Sequence, residues 1–169
     1  MWQVPTIVQN AIESYLPHVT AALTESLGDH LLGLALFGSC ARGHAKSGSD
    51  IDLLTVVDAT GRTVDDAIGR ALASLRDLPE AERLRNLEID PTPALLVHSL
   101  PSFARHPLIL LEVVTDGQVL ADPHGVLRDH FAAVLASMAR HGTLRVLQPD
   151  GSWYWDLKPG MRAGDEVSF

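Results

Sequence analysis

The sequence predicts one domain of the α/β or α+β class, in which helices pack on a small mixed β-sheet. Long stretches carry apolar residues at three- and four-residue steps, which is the pattern of amphipathic helices. Between them lie apolar runs of strand length that are too short to form helices. The 169 residues have the length of one domain and contain no repeat, linker or low-complexity segment. We therefore expect a single domain over residues 1–169.

The first half of the chain predicts helices and strands in alternation. A helix is expected over Val4–Leu27, where the apolar stripe ends before a glycine. Strands are expected over Leu31–Phe37 and Ile51–Val57, which are short and rich in leucine and valine. A second helix is expected over Thr63–Leu78, with Thr63 as its N-cap because an acidic residue follows three positions later.

The second half predicts an interrupted strand and two more helices. Alternation over Arg85–Asp90 predicts a strand, and Pro91 and Pro93 place it at a sheet edge or a bulge. The tail over residues 142–169 has no clear periodicity, and we expect it to pack on the domain. The other expected elements are a continuation of that strand over Ala94–His98, helices over Pro107–Thr115 and Pro123–His141, and a strand over Val119–Ala121.

Composition favours a cytoplasmic protein with no need of disulfides or a membrane. The only cysteine is Cys40, and the N-terminus lacks the basic region of a signal peptide. No apolar run approaches the ~20 residues that cross a bilayer. A net charge of −8 weighs against DNA or RNA as a partner, although the 13 basic residues are enough for a local patch.

One loop between the first two strands carries most of the chemistry, in the sequence LFGSCARGHAKSGSDIDLL. Gly38 allows a sharp turn and a close approach of the backbone to a ligand. Ser39 offers a hydroxyl and an N–H group. If a helical turn begins at Ala41, the unpaired N–H groups at its start form an anion site suited to phosphate. Arg42 adds a charged fork near the same anion.

The loop ends in two aspartates with one residue between them. Asp50 and Asp52 lie two apart on a strand, so both side chains leave the same face. Two neighbouring carboxylates repel each other unless a cation lies between them or one is protonated. Mg²⁺ is usually held by one or two carboxylates together with substrate phosphates. An anion-binding turn facing this pair therefore predicts a phosphoryl- or nucleotidyl-transfer site.

The segment GSCARGHAKSGSDIDLL resembles, without a gap, the motif of the DNA polymerase β-like nucleotidyltransferase superfamily. It is most similar to the minimal (MNT-type) nucleotidyltransferases of prokaryotes. A weaker resemblance covers HPLILLEVVTDGQVLAD and the tail YWDLKPGMRAGDEV. The resemblance implies the polymerase-β-like fold, a mixed sheet with helices on one side. It also implies transfer of a nucleoside monophosphate from a nucleoside triphosphate, with release of pyrophosphate.

The same resemblance implies roles for residues of the motif. Gly38 and Ser39 would contact the triphosphate, and Asp50 and Asp52 would bind Mg²⁺. Arg42 would support the loop or the phosphates. Ser49, which precedes the first aspartate, is also a candidate nucleotide-binding residue.

Family members commonly place a third acid on a later, adjacent strand. It helps to hold a second metal ion or takes the proton from the acceptor hydroxyl. Asp90 and Glu88 are the candidates, because they share a face of the expected strand over residues 85–90. Asp90 is preferred as a catalytic residue and metal ligand, because its shorter side chain holds a metal more rigidly. The alternative is that either acid only caps the bulge at Pro91.

The resemblance implies ATP as the probable nucleotide substrate and leaves the acceptor open. Small MNT-type proteins often act as antitoxins, and some transfer AMP to a tyrosine of a helical partner toxin. Other relatives modify tRNA ends or aminoglycoside hydroxyls, and a non-catalytic antitoxin that only binds its partner is a further alternative. The acidic composition suits a protein acceptor better than RNA.

Two features of the sequence have both a chemical and a structural interpretation. Cys40 lies in the loop, but no histidine is in an obvious partner position, so we expect a buried side chain rather than a nucleophile. The aromatic cluster Trp153–Trp155 is expected to pack on the domain rather than to stack on a base.

Overall fold

The computed structural model of the protein describes residues 7–162 and residue 167. Its centre is a mixed four-stranded sheet in the order β3–β2–β1–β4. Strand β1 is antiparallel to both of its neighbours, whereas β2 and β3 are parallel. The strands are β1 (Leu31–Phe37), β2 (Asp52–Val57), β3 (Ala94–Ser99) and β4 (Gln118–Ala121). The expected mixed sheet is confirmed.

Helices cover both faces of this sheet. They are α1 (Ile7–Leu27), α2 (Gly38–Ala41), α3 (Arg62–Leu75), α4 (Pro79–Asn86), α5 (Leu100–Phe103), α6 (Ile109–Asp116) and α7 (Val126–His141), with a 3-10 turn at Gly28–His30. A separate hairpin pairs β5 (Leu144–Leu147) with β6 (Trp153–Asp156). No helix within the described ranges is long and apolar enough to span a membrane.

The core is divided in two by the sheet. Leu53 and Val57 of β2 pack in the cluster formed with α1, α3 and α4, whereas Leu54 and Val56 pack in the cluster formed with α5, α6 and α7. The expectation of helices on one side only was therefore wrong. Five consecutive residues of β2 are buried, and a strand that is apolar on both faces must be covered on both.

The strand expected over Arg85–Asp90 was also wrong. Helix α4 occupies the start of this segment, and Glu88 follows it in the left-handed conformation at φ 58°. The Ile89 N–H donates to the Leu84 carbonyl, and the Glu88 N–H to the Arg85 carbonyl. This is the Schellman arrangement that ends a helix. The apparent alternation of Leu87 and Ile89 is thus a helix end, in which Ile89 is buried against the core.

Most other elements match the expected ones within a few residues. Strand β1 has the predicted bounds, and β2 begins one residue later than predicted. Helix α3 begins at Arg62 after Gly61 with no side-chain cap, so the expected N-cap at Thr63 was wrong. In the tail, Trp155 and Leu157 pack against the second core cluster. Residues 4–6 of the expected first helix, and residues 163–166, 168 and 169 of the tail, lie outside the described residues.

Candidate active site

The end of β1 brings the backbone of Gly38 against the side chain of Asp52. Phe37, the last residue of β1, is the register partner of Asp52, the first residue of β2. Gly38 follows with φ 72°, and a Cβ atom at this position would overlap Oδ2 of Asp52. Glycine is therefore required twice, for the left-handed backbone and for the close approach. The result is a carboxylate packed directly on the Gly-Ser turn.

The turn after β1 is itself a short helix that begins earlier than expected. Helix α2 starts at Gly38 rather than at Ala41, so the N–H groups that have no partner inside a helix belong to the Gly-Ser pair and the two residues after it. The His44 N–H donates to the Ser39 carbonyl at 2.9 Å and closes the following turn. The N–H groups of the Gly-Ser turn and the carboxylate of Asp52 thus lie at the same edge of the sheet.

Cys40, near the start of the loop, is hydrogen-bonded to Asp50 at its end. Its side chain is buried, and Sγ donates to the carbonyl of Asp50 at 3.0 Å. The amide of Gln9 on α1 donates to the Cys40 carbonyl at 3.2 Å. Cys40 therefore has the structural role expected for it, because its thiol holds the Asp50 backbone close to the turn.

Asp50 and Asp52 lie on either side of a fully buried residue. Ile51 has no exposed surface and packs in the first core cluster, whereas Asp50 is exposed and Asp52 is half-buried. This alternation directs both carboxylates away from that cluster. The pKa of Asp52 is raised, first by burial and then by the charges of Asp50 and Glu112, while Arg42 lowers it. The site therefore concentrates negative charge around Asp52.

An ion-pair network that the sequence did not reveal surrounds Arg42. Its guanidinium contacts the carboxylate of Glu112 at 2.5 Å and that of Asp116 at 3.7 Å, both on α6. Arg145 of the hairpin contacts Asp116 at 2.7 Å. Of the two roles expected for Arg42, support of the loop is the one that these contacts favour. The four-residue spacing of Glu112 and Asp116 was the available signal, because it places both on one helix face.

Arg145 continues this network into the C-terminal hairpin. Its guanidinium lies 4.7 Å from the ring centroid of Trp153 and 4.9 Å from that of Trp155. Trp155 also packs on the second core cluster, as expected for the aromatic tail. Cation–π contacts and one ion pair thus connect the hairpin to the helix that holds Arg42.

Ser49 is engaged in the loop that precedes the aspartates. Its hydroxyl accepts a hydrogen bond from the Lys46 N–H at 3.0 Å, and its own N–H donates to the Lys46 carbonyl at 2.9 Å. The same loop is bonded to Glu88, whose carboxylate accepts from the Ser47 hydroxyl at 2.5 Å. The carbonyl of Glu88 accepts from the Gly48 N–H at 2.9 Å. These contacts give Ser49 and Glu88 a role in shaping the loop.

Asp90, the residue preferred as the third acid, is not grouped with Asp50 and Asp52 as a metal site among the described residues. It lines a cavity with Tyr15 and residues of α3, on the sheet face opposite to the one that carries Asp52. One oxygen of its carboxylate accepts from the Thr92 N–H at 2.8 Å, which caps the turn at Pro91. Within residues 7–162 and 167, no three acidic, histidine or cysteine side chains come together as a metal site.

The residues at the turn nevertheless suit a divalent cation held jointly with a ligand. Asp50 and Asp52 offer the carboxylate oxygens that Mg²⁺ prefers, and burial together with the charges of Asp50 and Glu112 raises the pKa of Asp52 even though Arg42 lowers it. Two protein carboxylates leave coordination positions for phosphate oxygens and water. The donor set therefore fits a metal that is completed by a bound polyphosphate.

Comparison with known proteins agrees with this arrangement. Residues 23–94 match the model of the nucleotidyltransferase domain family. This segment runs from α1 to the start of β3 and contains the Gly-Ser turn and both aspartates. A search of curated proteins finds no significant match.

Solved structures of toxin–antitoxin proteins resemble the chain with a TM-score of 0.41. One, bound to AMP-PNP, is 23% identical and the alignment covers 79% of this chain and 87% of that one. A mutant of the MntA–HpeT toxin–antitoxin is 17% identical, with 79% and 92% covered. A second MntA–HpeT mutant is 24% identical, with 72% and 83% covered. Likeness at this level carries no argument about activity. The part of the chain that is similar to the nucleotidyltransferase domain family, residues 23–94, is thus the part that carries the Gly-Ser turn and its two aspartates.

Proposed function

We propose that this protein is an active, Mg²⁺-dependent nucleotidyltransferase that moves AMP from ATP to an acceptor hydroxyl. The observation that carries the proposal is the packing of the Asp52 carboxylate on the Gly38 backbone. A polyphosphate on the turn would therefore lie beside the two aspartates. In the reaction, an acceptor oxygen forms a bond to the α-phosphorus of ATP, the bond from that phosphorus to the bridging oxygen breaks, and pyrophosphate leaves.

The residues of the chain have distinct roles in this proposal. Backbone N–H groups of Gly38 and Ser39 bind the phosphates, because a turn that opens a helix is an anion site. Asp50 and Asp52 would hold Mg²⁺, which supplies charge neutralisation at the phosphates when bound. Arg42, held by Glu112, fixes the end of the turn.

The neighbouring strand supplies no third acid. Ala94 is the register partner of Asp52 and Leu96 that of Leu54, so these two positions of β3 face the same side as the catalytic pair. Both residues are apolar. We propose that the acceptor hydroxyl gives its proton to a carboxylate of the Asp50–Asp52 pair, which would also hold the metal, and not to a carboxylate from β3.

We propose a protein hydroxyl as the acceptor, namely a tyrosine of a partner toxin, with this chain as an MNT-type antitoxin. The net charge of −8 supports a protein acceptor over RNA, because RNA binding relies on clustered basic residues. The resemblance of the segment from Gly38 to Leu54 to the MNT-type motif supports the antitoxin role. The competing function is an antitoxin that binds its partner without transferring a nucleotide.

Transfer of label from ATP tests the proposal. The protein is incubated with [α-³²P]ATP, Mg²⁺ and the protein that co-purifies with it, and labelled protein is separated by electrophoresis. We expect transfer by the wild type and at least a hundredfold loss in Asp50→Asn and Asp52→Asn, about the size of losing one electrostatic contact to a transition state. Asp58→Asn is the matched control, because Asp58 follows the far end of β2 and pairs with His30.

The possible outcomes separate the two functions. Label on the partner that is lost in both aspartate variants and kept in Asp58→Asn supports the enzyme. If the protein binds its partner stably but transfers label from no nucleotide that is tried, the result supports the non-catalytic antitoxin. If label appears on added tRNA or aminoglycoside instead of protein, the protein is still a nucleotidyltransferase, but its acceptor is not the one proposed.

A further inference from the structure

A cavity of about 600 Å³ opens on the sheet face opposite to Asp52. It is lined by α1, α3, the end of α4 and the segment that leads into β3. This volume is in the range of small-molecule sites in proteins. The nucleotidyltransferase reaction proposed above does not use the cavity, because its aspartates face the other side of the sheet.

Charged groups of opposite sign face this cavity without pairing with each other. Tyr15, Arg85 and Asp90 all line the cavity; burial raises the pKa of the Tyr15 hydroxyl, the charge of Arg85 lowers it and that of Asp90 raises it. Across the part of the chain that the structure describes, no ion pair includes Arg76, Arg85 or Asp90. The cavity therefore presents unpaired cationic and anionic groups to a ligand.

Two arginines, Arg76 and Arg85, line the cavity. A side-chain nitrogen of Arg85 donates to the main-chain carbonyl of Arg76, which joins the end of α3 to the end of α4. The side chains of both arginines are exposed. Two arginines that line one cavity are suited to a phosphate, because each guanidinium donates in a planar fork.

The cavity also offers acceptors for hydroxyl groups, together with apolar surface. The Asp90 carboxylate uses one oxygen for the Thr92 N–H, and its other oxygen remains to accept from a ligand. The Tyr15 hydroxyl donates to the Pro91 carbonyl at 2.9 Å and still has a free lone pair. Leu72 and Pro91 complete the lining with apolar surface.

We infer that this cavity is a second ligand site that binds a small phosphate ester bearing hydroxyl groups, such as a nucleoside monophosphate. The phosphate lies on Arg76 and Arg85, a sugar hydroxyl donates to Asp90, and the base or another apolar group lies against Leu72 and Pro91. This inference goes beyond the proposed function and does not depend on it.

The site is joined to the catalytic edge through the backbone. The Pro91 carbonyl accepts from Tyr15 in the cavity, and three residues later the Ala94 N–H donates to the Ile51 carbonyl at 2.9 Å. Ile51 lies between the two catalytic aspartates. A ligand in the cavity would therefore contact residues 90–93, which lead directly to the hydrogen bond between Ala94 and Ile51.

Binding of AMP to the full chain in EDTA tests the inference, with the affinity measured by calorimetry. Without metal the assay does not depend on nucleotidyl transfer, so its result is independent of the proposed function. We expect Arg76→Gln to weaken AMP binding by about tenfold or more, as for the loss of a charged hydrogen bond. Adenosine, which lacks the phosphate, should bind wild type at least as weakly as AMP binds the variant.

A variant at Gly69 tests the location without touching a charged group. Gly69 contributes its backbone to the cavity wall within α3, and a Cβ there meets no atom within 4 Å. Gly69→Leu should fill the cavity and abolish AMP binding, whereas Gly69→Ala should retain it. Both should fold, because each replaces a helical glycine with a better helix former, and thermal unfolding verifies this.

The inference is overturned if wild type does not bind AMP in EDTA, or if it binds and Arg76→Gln and Gly69→Leu leave the affinity unchanged. The second result would place AMP at the Gly-Ser turn on the other face. Equal binding of adenosine and AMP would also overturn it, because the arginines would then have no phosphate to recognise.

Discussion

The carboxylate of Asp52 occupies the space beside Gly38 that a side chain at position 38 would need. Gly38 has φ 72°, and its backbone opens the short helix α2. The Gly-Ser turn and the first residue of β2 are thus in direct contact. This contact distinguishes Gly38 from the other glycines of the loop.

Gly38→Ala should destabilise the protein and abolish nucleotidyl transfer. The new methyl group would overlap Oδ2 of Asp52, and the left-handed backbone alone costs an alanine about 1–2 kcal/mol. Gly43→Ala is the matched control, because Gly43 has φ 69° and no atom within 4 Å of a Cβ.

Urea unfolding and label transfer measure the two effects of these glycine variants. Both should lose stability from backbone strain, and Gly38→Ala should lose more. Only Gly38→Ala should lose transfer, because only its methyl group displaces the Asp52 carboxylate, which is proposed to hold the metal. Equal activity of the two variants would show that the contact between Gly38 and Asp52 is irrelevant to the reaction.

The ion pair between Arg42 and Glu112 should be energetically coupled. Arg42→Gln leaves Glu112 and Asp52 as neighbouring anions with no cation, whereas the double variant with Glu112→Gln removes one of those charges. The side chains are 25% and 17% exposed, so a double-mutant cycle in urea should give a coupling free energy of about 1–2 kcal/mol.

The exposed pair Arg128 and Asp129 is the reference for that cycle. Its side chains are 73% and 69% exposed, so solvent screening should leave this pair with almost no coupling free energy. A coupling between Arg42 and Glu112 no larger than this reference would show that Arg42 does not depend on Glu112 for its position.

The Asp52 carboxylate should destabilise the metal-free protein at neutral pH. Its pKa is raised by burial and by Asp50 and Glu112, so the folded state binds the proton more tightly than the unfolded state. The stabilisation from this proton is complete below the unfolded pKa of about 3.9 and is lost as the pH rises through the folded pKa.

Asp52→Asn should therefore be more stable than wild type at neutral pH in EDTA, and the difference should shrink as the pH falls. Urea midpoints measured from neutral pH down to the ordinary aspartate pKa check this. Asp58→Asn should show no such gain, because Asp58 is exposed and hydrogen-bonded to His30 at 3.0 Å. A wild type that is the more stable protein at neutral pH in EDTA would contradict the prediction.

The sequence was most informative where one local pattern determined the structure. The apolar run of β1 gave its bounds, and the spacing of Asp50 and Asp52 around Ile51 predicted which way the carboxylates face. These features follow from periodicity within a few residues. The family match over residues 23–94 covers the same segment.

Features that depend on distant contacts could not be predicted from local patterns. Leu87 and Ile89 alternate as in a strand, but long-range burial of Ile89 makes the segment a helix end. Asp90 was therefore expected on a strand, whereas it follows a helix end. Glu112 reaches Arg42 across 70 positions of sequence, and no periodicity reveals such a pair.

Cys40 should be almost unreactive towards thiol reagents while the protein is folded. Burial raises the pKa of Cys40 to about 11, its side chain is buried, and Sγ donates to the Asp50 carbonyl. A thiol with that pKa has roughly a hundredfold less thiolate at neutral pH than an ordinary cysteine, and the thiolate is the reactive form. Iodoacetamide followed by mass spectrometry should therefore find the native protein unmodified after full labelling of glutathione in the same tube.

In urea the single cysteine should take up one label per chain. Labelling of the native protein at the rate of glutathione would mean that the loop opens readily and does not hold Asp50 against the turn.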